Sequence, residues 1–250
     1  MMRIRIRFHK KGKVRFTSHR DVARIWERAF RRTGIVVAYS QGFSPRQKLS
    51  FGLALSTGHE SEAEFLDVEL VDDRYRDKEA WDIENVERGP SPVTEMVEAL
   101  NAALPVGLRV VALAPIEKGD SLQQAVVACT WSIDVDDINR ADAEAWVADV
   151  LSRVEIVVER ERKGKPVIED LRPHVHALSV TGTTETGVRL IADLGTQPRA
   201  LRPTELLVAV DPPLVARSVC RMNQWTSQGT DREEPLTAPV APAPLAEVPA

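Results

Sequence analysis

Cysteine is almost missing from this 250-residue chain. The two present, Cys129 and Cys220, lie too far apart for a zinc-ribbon pair, a dense disulfide framework or the closely spaced triplet that holds an iron-sulfur cluster. Both read as reduced core thiols, and neither a metal nor a cofactor is expected. The glycine motifs that cradle phosphates are missing too. Neither Gly-x-x-x-x-Gly-Lys-Ser/Thr nor Gly-x-Gly-x-x-Gly occurs, so no backbone nest for ATP or a dinucleotide is implied. Long apolar runs are equally scarce. The basic opening MMRIRIRFHKKGK leads into no hydrophobic segment, and no stretch approaches the roughly 18 apolar residues of a membrane span. The expected address is the cytoplasm, with no membrane partner.

What the chain does have is a steep imbalance of charge. Residues 1–48 carry fourteen Lys and Arg against two acids, Asp21 and Glu27, whereas the whole chain has a formal charge of -4. Anions respond to the local field at short range, so this end reads as a polyanion-binding surface, with RNA the favoured partner. Residues 3–8 alternate Arg3, Arg5 and Arg7 with Ile4, Ile6 and Phe8. A strand there buries the apolar set and presents three guanidiniums on its other face. Ser18 stands three residues ahead of Asp21, and Val22, Ile25, Trp26, Ala29 and Phe30 then recur at helical spacing until Gly34. The opposite face of that helix carries Arg20, Arg24, Glu27, Arg28 and Arg31, with Arg32 at its edge. One acid among five bases leaves most of that face for phosphates.

Further along, a β-branched run at 35–39 precedes the loop Ser40-Gln41-Gly42-Phe43-Ser44-Pro45-Arg46-Gln47-Lys48. Strands are expected at 49–55, 64–70 and 108–113, with a connecting excursion at 71–89 and a helix at 94–104. The resulting order, β-α-β-β-β-α-β, is a split β-α-β unit with one extra strand. A similar pattern recurs as a strand at 124–135, a helix at 140–152, strands at 155–159, 175–180 and 188–194, a helix at 203–210 and a strand at 218–225. The expected architecture is α+β, with a basic ferredoxin-like half at 1–118, a second ferredoxin-like half at 119–225, and a disordered Pro/Ala/Thr/Glu-rich tail at 226–250.

A family resemblance rests on Arg15-Phe16-Thr17-Ser18-His19-Arg20-Asp21, Glu27-Arg28-Ala29, Arg31-Arg32, the run Tyr39 through Lys48, and Glu60-Ser61-Glu62-Ala63-Glu64. In these segments the chain resembles the radical SAM-linked protein family, an uncharacterised domain fused to B12-binding radical SAM proteins or encoded separately. Leu201-Arg202-Pro203-Thr204-Glu205-Leu206-Leu207 resembles its C-terminal signature, and Gln47 replaces the usual proline. The resemblance implies a radical SAM protein as a partner, and ribonuclease E/G as a frequent gene neighbour. It implies no activity for this chain, which lacks the radical SAM cysteine triplet.

The candidate nucleic-acid-binding set is therefore Arg5, Arg7, Arg20, Arg24, Arg28, Arg31, Phe43, Arg46 and Lys48. Gly42 permits positive φ, Pro45 stiffens the loop, and Phe43 or Tyr39 offers a ring for stacking on an unpaired base. The same loop admits a purely structural reading, in which Phe43 packs into the core. His19 is the one catalytic candidate. It lies in the first turn of the arginine helix, where the dipole and cationic neighbours favour a neutral imidazole able to act as base on a ribose 2′-hydroxyl. The competing role for His19 is contact with the helix cap. Near the strand at 64–70, His59, Glu60, Glu62, Glu64 and Asp67 gather oxygen ligands suited to Mg²⁺, but alternation alone places acids on one strand face. That acidic row is also able to pair with the arginine helix and mask it. His174 and His176 share a strand face as ordinary residues, and Arg199 and Arg202 extend a basic groove. The expected role is an RNA-binding or RNA-processing accessory protein. The alternatives are an adaptor docking a radical SAM enzyme or ribonuclease, and a metal-independent ribonuclease.

Overall fold

The computed structural model describes residues 1–81, 90–117, 121–162, 164–227 and 232–236. The fold is mixed α/β, with mostly antiparallel strand pairing and five α-helices among the described residues. The chain divides into two compact units. One comprises Met1–Gly58, Glu62–Gln123 and the segment from Leu236; the other comprises His59–Ser61 and Gln124–Pro235.

In the first unit, β1 (Met2–Lys10) buries Ile4, Ile6 and Phe8, as its alternation requires. Helix α1 (His19–Thr33) starts at Ser18, whose hydroxyl accepts from the Asp21 N–H, and stops at Gly34 in the left-handed region, φ 70°. Its buried face is Val22, Trp26, Ala29 and Phe30. Phe8 meets Trp26 edge-on, with ring centroids 5.0 Å apart. Strands β2 (Leu49–Phe51) and β3 (Glu60–Leu70), helix α2 (Pro92–Ala103) and strand β4 (Leu108–Pro115) complete the layer. The strand order is β4-β1-β3-β2, with β1–β4 and β2–β3 antiparallel. Leu66, Val68 and Leu70 of β3 join the β1 side chains and both helices in one apolar core.

The short α3 (Leu122–Ala125) spans the boundary between the units, and the second continues with β5 (Ala128–Asp136) and α4 (Arg140–Ser152). Strands β6 (Val157–Arg162) and β7 (Lys165–Asp170) form a separate hairpin, and β8 (Val175–Thr183), β9 (Gly187–Gly195), α5 (Pro203–Ala209) and β10 (Ala216–Trp225) follow. The main order is β10-β5-β9-β8, all antiparallel. Glu60 and Ser61, the part of β3 that belongs to this unit, run parallel to Cys220 and Arg221 of β10. Asn139 caps α4 through the Asp142 N–H, and α4 packs across β8 and β9.

Several expected elements differ. The run at 35–39 forms two isolated bridges, Val37 to Leu70 and Tyr39 to Gln47, in place of a strand. The strand expected at 49–55 stops at Phe51, while that expected at 64–70 starts at Glu60. The excursion at 71–89 forms short 3-10 turns up to Trp81, and residues 82–89 lie outside the described residues. The single strand expected at 155–159 is one arm of the β6–β7 hairpin. The start of the expected tail is packed. Thr226 donates its N–H to Glu233 O at 2.8 Å, Arg232 pairs with Asp193 at 2.8 Å, and Leu236 is buried beside Ala63, Phe65, Ala112, Ala114 and Leu122. Apolar contact from one leucine and these polar ties offset the chain entropy of a segment whose composition alone predicts none. Residues 228–231 and 237–250 of that expectation lie outside the described residues.

Candidate nucleic-acid interface

The arginines of the first 48 residues have two different fates, decided by what faces them. Arg5 is clamped on Asp67, Nε to Oδ1 at 2.7 Å and Nη2 to Oδ2 at 2.9 Å, and Arg3 reaches the same carboxylate at 3.3 Å. Asp67 is 3% exposed, so these pairs are largely withdrawn from water. Arg7 donates Nε–H to the Glu62 carbonyl at 3.2 Å and lies 6.0 Å from the Phe65 ring centroid. Glu62 accepts from His9 Nε2 at 2.8 Å and from Lys11 Nζ. Its carboxyl is held at about 2, against an ordinary 4.5, first by the His9 hydrogen bond and then by Lys11, although desolvation works the other way. The acids of β3 thus engage the basic row of β1, and the expected masking of α1 by that row is replaced by masking of β1. Lys48 pairs with Glu69 at 3.6 Å.

The arginines of α1 stay in water. Arg20, Arg24, Arg28 and Arg31 are all exposed. Spacings of four, three and four place Arg20, Arg24, Glu27 and Arg31 along one helix face. That face forms one wall of a concavity of about 330 Å³. The loop after α1 forms the other wall, with Tyr39, Arg46 and the ring of Pro45. The neck of this loop is tied. Ser40 N–H donates to Arg46 O at 2.8 Å, the Arg46 N–H donates to Ser40 Oγ at 3.0 Å, and Lys48 N–H donates to Ala38 O at 2.8 Å. At its tip Gly42 has φ 132°, a conformation that side chains with a Cβ rarely adopt. Phe43 follows it, with its ring wholly in solvent, so its packing is not that of a core residue.

Among the described residues, the guanidiniums of Arg20, Arg31 and Arg46 make no hydrogen bond or ion pair within the chain. Arg24 pairs with Asp21 at 3.1 Å, and Arg28 donates to Arg24 O at 3.2 Å from the neighbouring face. The concavity thus holds four guanidiniums against one carboxylate, Glu27. Fork-shaped donors facing each other across a cleft suit the oxygens of phosphate. The structure brings together Arg20, Arg24, Arg31 and Arg46 of the expected set, with Phe43 nearby on the same loop. Arg5, Arg7, Arg28 and Lys48 do not line the concavity. Glu27, Tyr39 and Pro45 join it, and helical spacing together with loop position was the available signal for them.

The remaining candidates fall elsewhere. His19 packs edge-on against Phe51, with centroids 5.1 Å apart, while Ser18 and Asp21 form the helix cap without it. His174 ends a 3-10 turn and only His176 is in β8, yet both rings converge on Gly195: His174 Nδ1 and His176 Nε2 lie 3.2 and 3.1 Å from where a Cβ would stand. Burial lowers the His176 pKa. Arg199 is clamped between Glu169, at 2.6 Å, and Glu205, at 2.9 Å, and is withdrawn from any basic groove. Among the described residues, no group of three or more His, Cys, Asp or Glu side chains is arranged to hold a metal ion, and no helix is long and apolar enough to cross a membrane.

These features define a mixed α/β protein with a cationic cleft on its N-terminal unit. The chain belongs to the family DUF2344, described as an uncharacterized protein conserved in bacteria, whose match covers residues 3–203. No curated protein matches it. The family match includes the whole of α1 and the loop that closes the cleft.

Proposed function

We propose that this chain is a cytoplasmic RNA-binding accessory protein built from two ferredoxin-like halves, and that unstructured RNA enters the cleft between α1 and the 40–46 loop. The ferredoxin-like reading is supported by the two strand orders, β4-β1-β3-β2 and β10-β5-β9-β8, each interleaved with two helices. The RNA reading is carried by one observation: Arg20, Arg31 and Arg46 line one concavity without a side-chain partner among the described residues, beside the half-exposed Tyr39. Guanidiniums supply sequence-independent affinity, and an aromatic ring adds about 1–3 kcal/mol for each stacked base.

The test is fluorescence anisotropy with an unstructured 15-nucleotide RNA at low salt. Binding is expected to weaken with added salt, with a slope of about -0.7 per neutralised phosphate, and to be abolished by Arg31→Glu with Arg46→Glu. Unchanged affinity in that double variant rules out the cleft as the RNA site.

A second reading is favoured by the exposed Phe43 ring, which suits protein docking as well as base stacking. In it the same loop docks a radical SAM enzyme or ribonuclease E/G, the partners that the sequence resemblance implies. A complex that survives nuclease treatment and is lost in Phe43→Ser supports the adaptor role.

A further inference from the structure

The cleft is small, closed on two sides and heavily charged, and these three properties together select which part of an RNA strand it takes. We propose that it captures the terminal phosphate of an RNA strand, a phosphomonoester, with the adjoining base against Tyr39. This rests on the RNA reading above and adds the chemical group that is recognised.

Charge is the first argument. An internal phosphodiester carries one negative charge, whereas a phosphomonoester carries about -1.5 to -2 at neutral pH because its second pKa is near 6. Four guanidiniums and one carboxylate line a concavity of about 330 Å³. Arg24 is already paired with Asp21 and Glu27 offsets a further charge, so a single diester leaves part of the remaining positive charge unmatched, whereas a dianion with three free oxygens matches it and offers several forks a partner at once.

Size is the second. The volume is at the lower end of ligand pockets, which run from about 300 to 1,000 Å³. It admits a nucleotide-sized group and excludes a duplex, whose recognition spreads over successive grooves.

Continuity is the third. A protein that tracks a strand needs cations spaced along a path, and the regular row on β1 is already engaged: Arg3 and Arg5 by Asp67, Arg7 by the Glu62 carbonyl. Arg20 and Arg31 sit 11 residues apart, about 16 Å of helix axis, at the two ends of the wall that α1 gives the concavity. Arg46 approaches from across the cleft, on a loop whose neck is fixed by the reciprocal Ser40–Arg46 bonds. Donors on both walls of one small hollow describe a cup for a single charged group.

The experiment uses the full chain and one unstructured 15-mer RNA in three forms: 5′-phosphorylated, 3′-phosphorylated, and hydroxyl at both ends. A phosphoserine peptide serves as a fourth competitor. One of the phosphorylated RNAs is expected to bind about tenfold or more tightly than the hydroxyl form at pH 7.5, the scale of a charge-assisted hydrogen bond or two. That advantage is expected to shrink as the pH falls through about 6, where the monoester takes up its proton. Arg46→Ala and Arg31→Ala, both on the surface and checked for unchanged circular dichroism, are expected to reduce the advantage more than the underlying affinity. Equal, salt-sensitive binding of all three RNAs overturns the end-capture inference and leaves the RNA reading standing. Failure of all three to bind overturns both. Equal competition by the phosphopeptide overturns the assignment of the phosphomonoester to RNA.

Discussion

Arginine 5 and arginine 31 carry the same group, and only their surroundings separate a structural pair from a binding site. The alternation of Arg3, Arg5 and Arg7 was legible as a strand with a charged face. What it did not reveal is that Asp67 and Glu62, some sixty residues on, lie across the neighbouring strand. Contacts of that separation leave no local periodic trace. Glu62 allows a check on the masking. Its folded carboxyl lies at about 2, below an ordinary 4.5, so it stabilises the fold above pH 4.5 and the contribution is lost as the pH falls from there toward 2. Glu62→Gln is therefore expected to lower unfolding stability at pH 6, with the gap from wild type closing between pH 4.5 and 2. Chemical denaturation across that range measures it, and a gap independent of pH would assign the loss to packing instead of charge.

At the scale of elements, α1 was the most legible feature, because a cap, a 3.6-residue apolar repeat and a terminal glycine all agree on its bounds. The β6–β7 hairpin was half missed, since Val157 and Ile168 are exposed and its charged residues alternate without an apolar face to mark a strand. The run at 35–39 has the β-branched composition of a strand but bridges β3 at only one point. Loop positions such as Tyr39 and Arg46 became a wall of the cleft through that pairing, which no spacing rule anticipates. The approach to β4 is equally specific. Gly107 has φ 96°, its carbonyl accepts from the Lys11 N–H at 2.8 Å, and a Cβ there would lie 2.3 Å from the Lys11 carbonyl oxygen. Gly107→Ala is expected to cost about 2 kcal/mol or more, combining backbone strain with displacement of that contact. A thermal midpoint within one degree of wild type would show that the turn yields freely.

Across the whole molecule, the charge imbalance was visible at once in the composition, and it drew notice to the N-terminal unit. The sequence offered no comparable hint that residues after Trp225 return to pack. Leu236 is 7% exposed against Phe65 and Leu122, in a stretch whose proline and alanine content suggests no order. Leu236→Ala is expected to destabilise the first unit by about 2 kcal/mol, at the lower end for a buried leucine because the site lies near the chain's end. Denaturant unfolding that is identical in variant and wild type would make the contact energetically idle.

Phe43 stands in water on a loop whose neck is already tied, so neither unit's core has to loosen for the ring to be covered. Covering a phenylalanine is worth about 1.5–3 kcal/mol. The molecule therefore carries, on the loop that walls its cationic hollow, a reserve of adhesion that a flat apolar surface can draw on at almost no cost in rearrangement.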